Sequence, residues 1–432
     1  MKKEAGVYKD TGVATDRGMN GLPGISLGKQ TFSSLGNPVY RLFFFGMLGF
    51  TAPMNMEMLA RSLLIYRITG SASILGLMAL VTAIPMLFLS LFGGVIADRV
   101  QKKYVLLAGQ AGSALVSLGI ALSLTLGYLS PEHAGSWWIL MVASVLKATV
   151  QGLMMPSRQT IISEIVSQDQ VMNAVSLNVL QMNSLRLLAP AAAGFIIEAF
   201  GFAPIYYITV GFYLLSMVFI ALMPPTGMIT LRGSGALTDI KEGFHYIRRE
   251  TAILLTLVFT IFVVILSMPY QMLLPIFADD ILRIGARGMG MLMSVAGAGA
   301  IAGSLTLASL PNKKRGVMLL ISCLVLGIAL AGFAFSSTLY LSLGLIAIVG
   351  LGQSGRMTLS NTLLQYYSAD EYRGRVMSIY MMEFGLSSLG TFTAGLMAEG
   401  IGVQWAIGGF AVILVIISLL ALIFATRIRK LD

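Results

Sequence analysis

The chain has 432 residues, of which 56% are hydrophobic and 11% are charged, and its formal net charge is +10. A soluble domain of this size cannot bury that much apolar surface and still cover itself with polar groups, so the composition excludes an ordinary water-soluble protein. The single cysteine, Cys323, excludes an intramolecular disulfide and a cysteine-based metal site. His133 and His245 lie far apart without metal-ligand spacing, so we expect no metal site and no cofactor.

The first 37 residues are polar and glycine-rich and contain no apolar signal-peptide core, so they predict a flexible cytoplasmic tail. Apolar segments long enough to cross a bilayer follow in two groups of six. They lie at about 42–66, 74–97, 105–127, 136–156, 171–198, 203–223, 252–278, 286–309, 317–336, 338–362, 375–398 and 402–426. The sequence therefore predicts an all-α membrane protein with six-helix bundles at 38–223 and 251–432, joined by a cytoplasmic linker at 224–250.

Basic residues indicate the orientation of these segments. With the N-terminus inside, the outer loops carry only Arg67, Arg283 and Arg287, whereas every cytoplasmic connection contains lysine or arginine. This asymmetry follows the positive-inside rule. It predicts a multi-pass protein of the cell (inner) membrane with both termini in the cytoplasm. The positive charge therefore indicates membrane topology and gives no reason to expect a nucleic-acid partner.

An internal repeat relates the two groups of helices. A shift of about 201 positions aligns the fifth predicted span with the eleventh. The aligned pairs are Asp169 with Asp370, Val175 with Val376, Gly194 with Gly395, and Glu198 with Glu399. Parallel halves of this kind are typical of transporters whose two bundles rock around a central site.

The loop after the second span combines a glycine, an acid and a basic cluster. Gly94 permits close helix approach, Asp98 supplies an acceptor at the membrane edge, and Arg99, Lys102 and Lys103 stay in the cytoplasm. The spacing resembles the major facilitator superfamily signature Gly-x-x-x-Asp-Arg-x-x-basic-basic. The resemblance implies an inner conformational latch packed against the start of the eleventh helix. The equivalent loop at 309–315 lacks the Asp-Arg pair, so we expect the latch on one side only.

Further stretches resemble the bacterial exporter branch of that superfamily, which includes enterobactin, macrolide and multidrug efflux proteins. They are 64–76, 239–248 and 274–278. In the fifth span, 189–194 is similar to an antiporter motif with two glycines replaced by alanine, and Pro190 and Gly194 predict a close-packed helix interface. The fourth span departs from the family pattern, because the expected arginine is Ala148, with Lys147 beside it.

Ionisable residues well inside the predicted spans are candidates for function, because each costs at least about 2.5 kcal/mol at a helix centre unless it is paired or hydrated. They are Glu57, Arg61, Lys147, Arg186, Arg356 and Glu383. Glu57 and Arg61 lie one turn apart in the favourable order for an ion pair. Lys147 and Arg186 should each need a carboxylate, water or an anionic ligand. Structural ion pairing between bundles is the alternative to a substrate and proton site.

We interpret the chain as a secondary transporter, not an enzyme, that exports drug- or siderophore-like molecules by alternating access with proton antiport. Glu57 and Glu383 are the proton-coupling candidates, and the four cations are candidates for a substrate or charge network. We expect a small-molecule substrate, protons and the lipid bilayer as partners, and a monomer. The alternatives are an importer or a lipid or lysophospholipid flippase on the same fold, and a non-transporting membrane receptor.

Overall fold

The computed structural model describes residues 32–133, 135–226, 236–310 and 313–431, without the side chains of 90–99, 236–241 and 384. In these ranges the chain forms helices and no β-strand, which confirms the predicted all-α class. The first six long helices are α1 (Pro38–Thr69), α2 (Ala72–Arg99), α3 (Lys102–Thr125), α4 (Trp137–Thr160), α5 (Val171–Phe200) and α6 (Phe202–Ala221). The linker contains α7 (Ala236–Arg249). The others are α8 (Thr251–Ser267), α9 (Pro269–Ile276), α10 (Gly285–Ser309), α11 (Arg315–Ala334), α12 (Leu339–Tyr367), α13 (Asp370–Met381), α14 (Glu383–Ile401) and α15 (Val403–Phe424).

Ten helical segments among the described residues are long and apolar enough to cross a membrane. They are α1 to α6, the run from α8 through α9 to Ile281, α10, α11 and α15. The remaining two predicted spans correspond to α12 and to the pair α13 and α14, which is interrupted at Met382. Arg356 and several polar side chains make α12 less apolar than its neighbours. The total of twelve spans therefore stays a prediction.

The first helix shows how the sequence sets the ends of a span. The side chain of Asn37 accepts hydrogen bonds from the backbone N–H groups of Val39 and Tyr40, and Pro38 occupies the first helical position. Gly70 ends the helix in the left-handed conformation, with φ of 61°. The 32 residues of α1 rise roughly 48 Å, which exceeds a hydrocarbon core of about 30 Å. Of the predicted tail, residues 1–31 lie outside the described ranges and Ser33–Gly36 forms a short helical turn.

The most extensive contacts between the two halves are made by two helix pairs, α5 with α10 and α2 with α14. A Cβ on Gly194 of α5 would collide with the carbonyl oxygen of Ala286. A Cβ on Gly395 of α14 would lie 2.7 Å from the carbonyl oxygen of Ala72. These two glycines are matched by the internal repeat. Each half therefore uses the same small residue for close approach to the other half.

The linker helix α7 packs against the second half, which the sequence analysis did not predict. The rings of Tyr246 and Tyr372 stack with centroids 4.3 Å apart and planes 5° from parallel. The Tyr246 hydroxyl accepts a hydrogen bond from the Ala369 N–H at 3.0 Å. Arg375 forms an ion pair with Glu242 at 2.9 Å. These contacts fix α7 on the segment that begins α13, beside the turn where the resemblance places the latch partner.

Candidate functional site

The first half contains a buried ion pair between α1 and α4. The Lys147 ammonium donates hydrogen bonds to the Glu57 carboxylate and, at 2.7 Å, to the Ser117 hydroxyl. Ser117, on α3, donates to Glu57 Oε1 at 2.6 Å. The side chains of Lys147 and Glu57 are only 8% and 7% exposed. Three helices thus contribute to one charge cluster, and the carboxylate satisfies the requirement of Lys147 for a partner.

Arg61 takes no part in a hydrogen bond with Glu57, although the two residues lie one turn apart on α1. Lys147 approaches that carboxylate from another helix, and the Arg61 Nε is buried without a hydrogen-bond partner among the described residues. The favourable i, i+4 order therefore did not identify the ion pair. The Glu57 carboxylate pairs with Lys147 on another helix and not with Arg61 on its own helix.

The second half contains a separate ion pair between α12 and α14. Arg356 Nη1 donates to Glu383 Oε2 at 3.1 Å, and both side chains are 1% exposed. Glu383 is the first residue of α14, directly after the interruption at Met382. Arg356 Nε and Glu383 Oε1 have no further partner in the described part of the chain. Both buried pairs lie within a half and not between halves.

Two carboxylates matched by the internal repeat connect the halves at the predicted extracellular end. Glu198, near the end of α5, accepts a hydrogen bond from the Ala286 N–H at the start of α10, at 3.2 Å. Glu399, near the end of α14, accepts from the Ser71 hydroxyl at 2.9 Å and the Ser73 N–H at 3.1 Å, at the start of α2. Each half therefore places one acid on a helix N-terminus of the other half, where negative charge is favoured.

A second pair of contacts closes the same end. Arg67, at the end of α1, donates to both carboxylate oxygens of Asp279, at 2.8 and 3.1 Å. Tyr66 donates to the carboxylate of Asp280. We call these four sets of contacts the outer gate. They join Glu198 to the start of α10, Glu399 to the start of α2, and Asp279 and Asp280 to the end of α1. In this structure the outer gate is closed.

The outer gate was not predicted from the sequence. Arg67 indicated only the orientation, and Glu198 and Glu399 indicated only the alignment of the repeat. A basic residue and the Asp279–Asp280 pair at the same predicted membrane face were the available signal. Their partners lie 212 and 214 residues apart in sequence, so the pairing needed the packed halves.

A cavity lies between the two halves, near the middle of the bundle. Its polar lining consists of Arg186 on α5, Asn55 on α1, and Tyr270 and Gln271 on α9. Apolar side chains from both halves complete it: Met58, Pro190, Leu274, Leu292, Met293, Ala296 and Ile346. Arg186 is the charged member of this lining. Within the described ranges it has neither an ion pair nor a hydrogen-bond partner for its guanidinium.

Pro190 and Gly194, predicted as a helix-packing motif, lie where α5 crosses α10. A Cβ on Gly290 of α10 would lie 2.5 Å from the carbonyl oxygen of Pro190. Seven residues further along α10, a Cβ on Gly297 would lie 3.4 Å from the carbonyl oxygen of Arg186. The motif therefore holds Arg186 at the contact between the two halves.

The predicted latch is only partly described. Gly94, Asp98 and Arg99 lie in the last turns of α2, and the side chains of Asp98 and Arg99 are outside the described part of the structure. Lys102 forms an ion pair with Glu164, and Lys103 donates to the carbonyl oxygens of Ala221 and Met223. Both lysines contact their own half, and the role of the latch stays a prediction.

Comparison with known proteins agrees with this architecture. Residues 29–432 match the family model described as transmembrane secretion effector. The chain is 25% identical to the uncharacterized MFS-type transporter YfiS of Bacillus subtilis, over 92% of this chain and 91% of that protein. It is 26% identical to the multidrug efflux pump Tap of Mycobacterium tuberculosis, over 90% and 94%. It is 23% identical to the enterobactin exporter EntS of Shigella flexneri, over 87% and 88%.

Among solved structures, a peptide transporter POT in complex with alafosfalin superposes with a TM-score of 0.73 and 14% sequence identity. The match covers 91% of this chain and 95% of that transporter. At this identity the likeness concerns the fold alone. The family model covers most of the chain, and the fold is that of a solved transporter. The chain therefore belongs to the transmembrane secretion effector family of the major facilitator superfamily, and it is a transporter of that type.

Proposed function

We propose that this transporter exports small organic molecules by alternating access and that proton entry drives export. The cavity between the halves supports the proposal, because its predicted extracellular end is closed by contacts that join one half to the other. Rocking of the two halves would break the outer gate and expose the cavity to the extracellular side of the membrane. Export is favoured over import because Tap is named an efflux pump and EntS an exporter.

The two buried ion pairs are the proposed coupling elements. Each half holds one carboxylate, Glu57 or Glu383, bonded to one cation in a site with almost no exposure. Neutralising one member of a buried pair leaves the other charge uncompensated, which is strongly unfavourable. Protonation of either carboxylate would therefore change the relative free energies of the conformations of its half. That is the property a proton-coupled step requires.

The direction of transport can be tested with inside-out membrane vesicles. Test compounds come from a thermal-shift screen of the purified protein, since a bound compound stabilises the folded state. Accumulation in inside-out vesicles that requires an imposed proton gradient is the expected result. Accumulation in right-side-out vesicles only would identify an importer and contradict the proposal.

The coupling role is tested with Glu57→Gln and Glu383→Gln. At the coupling position the glutamine variant should lose gradient-driven accumulation but retain exchange of labelled for unlabelled substrate, because exchange needs no net proton movement. Glu132→Gln, in an exposed loop, is the matched control for loss of a carboxylate. Full gradient-driven activity in both membrane variants would remove these residues from the coupling role.

A further inference from the structure

The charges inside the membrane do not balance. Among the described residues, the six charged side chains named from the predicted spans include two carboxylates, and both are used in ion pairs, with Lys147 and Arg356. Two guanidinium groups, those of Arg61 and Arg186, remain without an acidic partner among the described residues. A cation at membrane depth without a counter-charge requires water or an anionic ligand.

The two unpaired guanidinium groups lie in different surroundings. Arg61 lies beside the Glu57 cluster inside the first half and does not line the cavity. Arg186 lines the cavity, and its side chain is exposed. Its backbone is fixed at the crossing of α5 and α10 by the close approach to Gly297. Arg186 is thus held by a rigid helix contact and directed to the space between the halves.

The other polar groups of the cavity complement this cation. Asn55, Tyr270 and Gln271 bring amide N–H and phenol O–H donors from both halves, and no acidic side chain among the described residues belongs to the lining. One amide N–H of Asn55 is used by the Thr51 carbonyl at 2.9 Å. Guanidinium and neighbouring N–H and O–H donors form the kind of site that binds a carboxylate or a phenolate. Methionine and leucine side chains from both halves provide an adaptable apolar surface beside it.

We propose that Arg186 binds the acidic group of the transported substrate and that the substrate is an organic anion with an apolar body. This inference rests on the proposed function of the cavity as the transport site. The acid would lie against the guanidinium on the first half, and the body would contact the apolar lining of both halves. Such a ligand would supply the counter-charge that the described part of the chain does not.

The test is a binding screen on the purified full chain with carboxylates that are each paired with their own carboxamide, for example 4-phenylbutyrate and 4-phenylbutyramide. The amide keeps the size and the apolar body and removes the charge. A charge-assisted hydrogen bond is worth about 1.5–3 kcal/mol, so the best acids should bind roughly 10- to 100-fold more tightly than their amides. Arg186→Gln should abolish that preference, and Arg186→Lys should retain a part of it.

Two control variants separate local binding from net charge. Arg287→Gln removes the same charge from an exposed position on α10 outside the cavity, and Arg61→Gln removes the other unpaired guanidinium. Both should keep the preference for acids. Because the Arg186 side chain has no ion pair or hydrogen bond with the described residues to lose, its variants should remain folded, and size-exclusion chromatography checks this.

Three results would overturn the inference: no preference for acids in the wild type, an unchanged preference in Arg186→Gln, or an equal loss in Arg61→Gln or Arg287→Gln. The vesicle assay distinguishes this failure from failure of the proposed function. If compounds that bind without preference for the acidic form are exported in a gradient-driven way, the proposed export function is supported and the proposed anion site is rejected. If binding prefers acids in a way that depends on Arg186, but none of the bound acids is transported, the proposed anion site is supported and the proposed export function is rejected.

Discussion

The outer gate gives a quantitative prediction about the conformational equilibrium. Glu198→Gln and Glu399→Gln keep the size of each side chain and an acceptor oxygen, but they remove the charge that faces a helix N-terminus of the other half. Since these contacts exist only when the halves meet at this end, their loss raises the free energy of the closed state alone. The double variant should therefore populate the outward-open state more.

The magnitude follows from the setting of the two carboxylates. Both side chains are exposed, so a modest value of about 0.3–1 kcal/mol applies to each interaction between a carboxylate and a helix N-terminus. The two sites share no partner, so their effects should add. The sum of about 0.6–2 kcal/mol corresponds to a shift of roughly 3- to 30-fold toward the outward-open state. High salt should weaken the effect, because exposed charges are screened.

The assay uses a cysteine at Met58, a residue of the cavity, in a background where Cys323 is replaced by serine. Intact cells are treated with a membrane-impermeant thiol reagent, which reaches position 58 only when the outer gate opens. The double variant should label roughly 3- to 30-fold faster than the parent, with each single variant in between.

Glu132→Gln is the matched control, because it removes a carboxylate from an exposed loop at the same predicted face, where no ion pair with a described residue of the other half is recorded. It should leave the labelling rate unchanged. Equal rates in the parent and the double variant, or the same acceleration in the control, would refute the assignment of these carboxylates to the outer gate.

Three further predictions concern the cytoplasmic side. A cysteine introduced at Ser234, in a cysteine-free background, should be protected from impermeant thiol reagent in intact cells, and ready labelling would contradict the orientation. Asp98→Asn should impair transport but leave membrane insertion and expression nearly normal, since a latch acts on a conformational equilibrium; wild-type transport rates would reject the latch. Tyr246→Ala should remove a stacking contact worth about 0.5–1.5 kcal/mol and speed limited proteolysis of the linker, whereas Phe244→Ala, at an exposed position, should not.

The sequence determined the class of the protein and the general positions of its helices. Apolar segments of bilayer length are a local property, because every residue of a span must suit lipid or a helical neighbour. Ten of the twelve predicted segments are confirmed as helices that can cross a membrane. The two that stay predictions contain the buried Arg356–Glu383 pair, which lowers the apolar character that the pattern depends on. The repeat was also visible, because Gly194 and Gly395 are needed for close packing in both halves.

Only the tertiary structure decided which charges are partners. Six ionisable residues were visible in the spans, but a hydropathy pattern does not determine the rotation of one helix against another. The spacing along α1 therefore favoured Arg61 as the partner of Glu57, whereas the partner in the structure is Lys147, 90 residues away on α4. The outer gate joins residues more than 200 positions apart. Arg186 could be recognised as a cation inside the membrane from the sequence, but its position in a cavity to which the described residues bring no counter-charge depends on how the two halves pack.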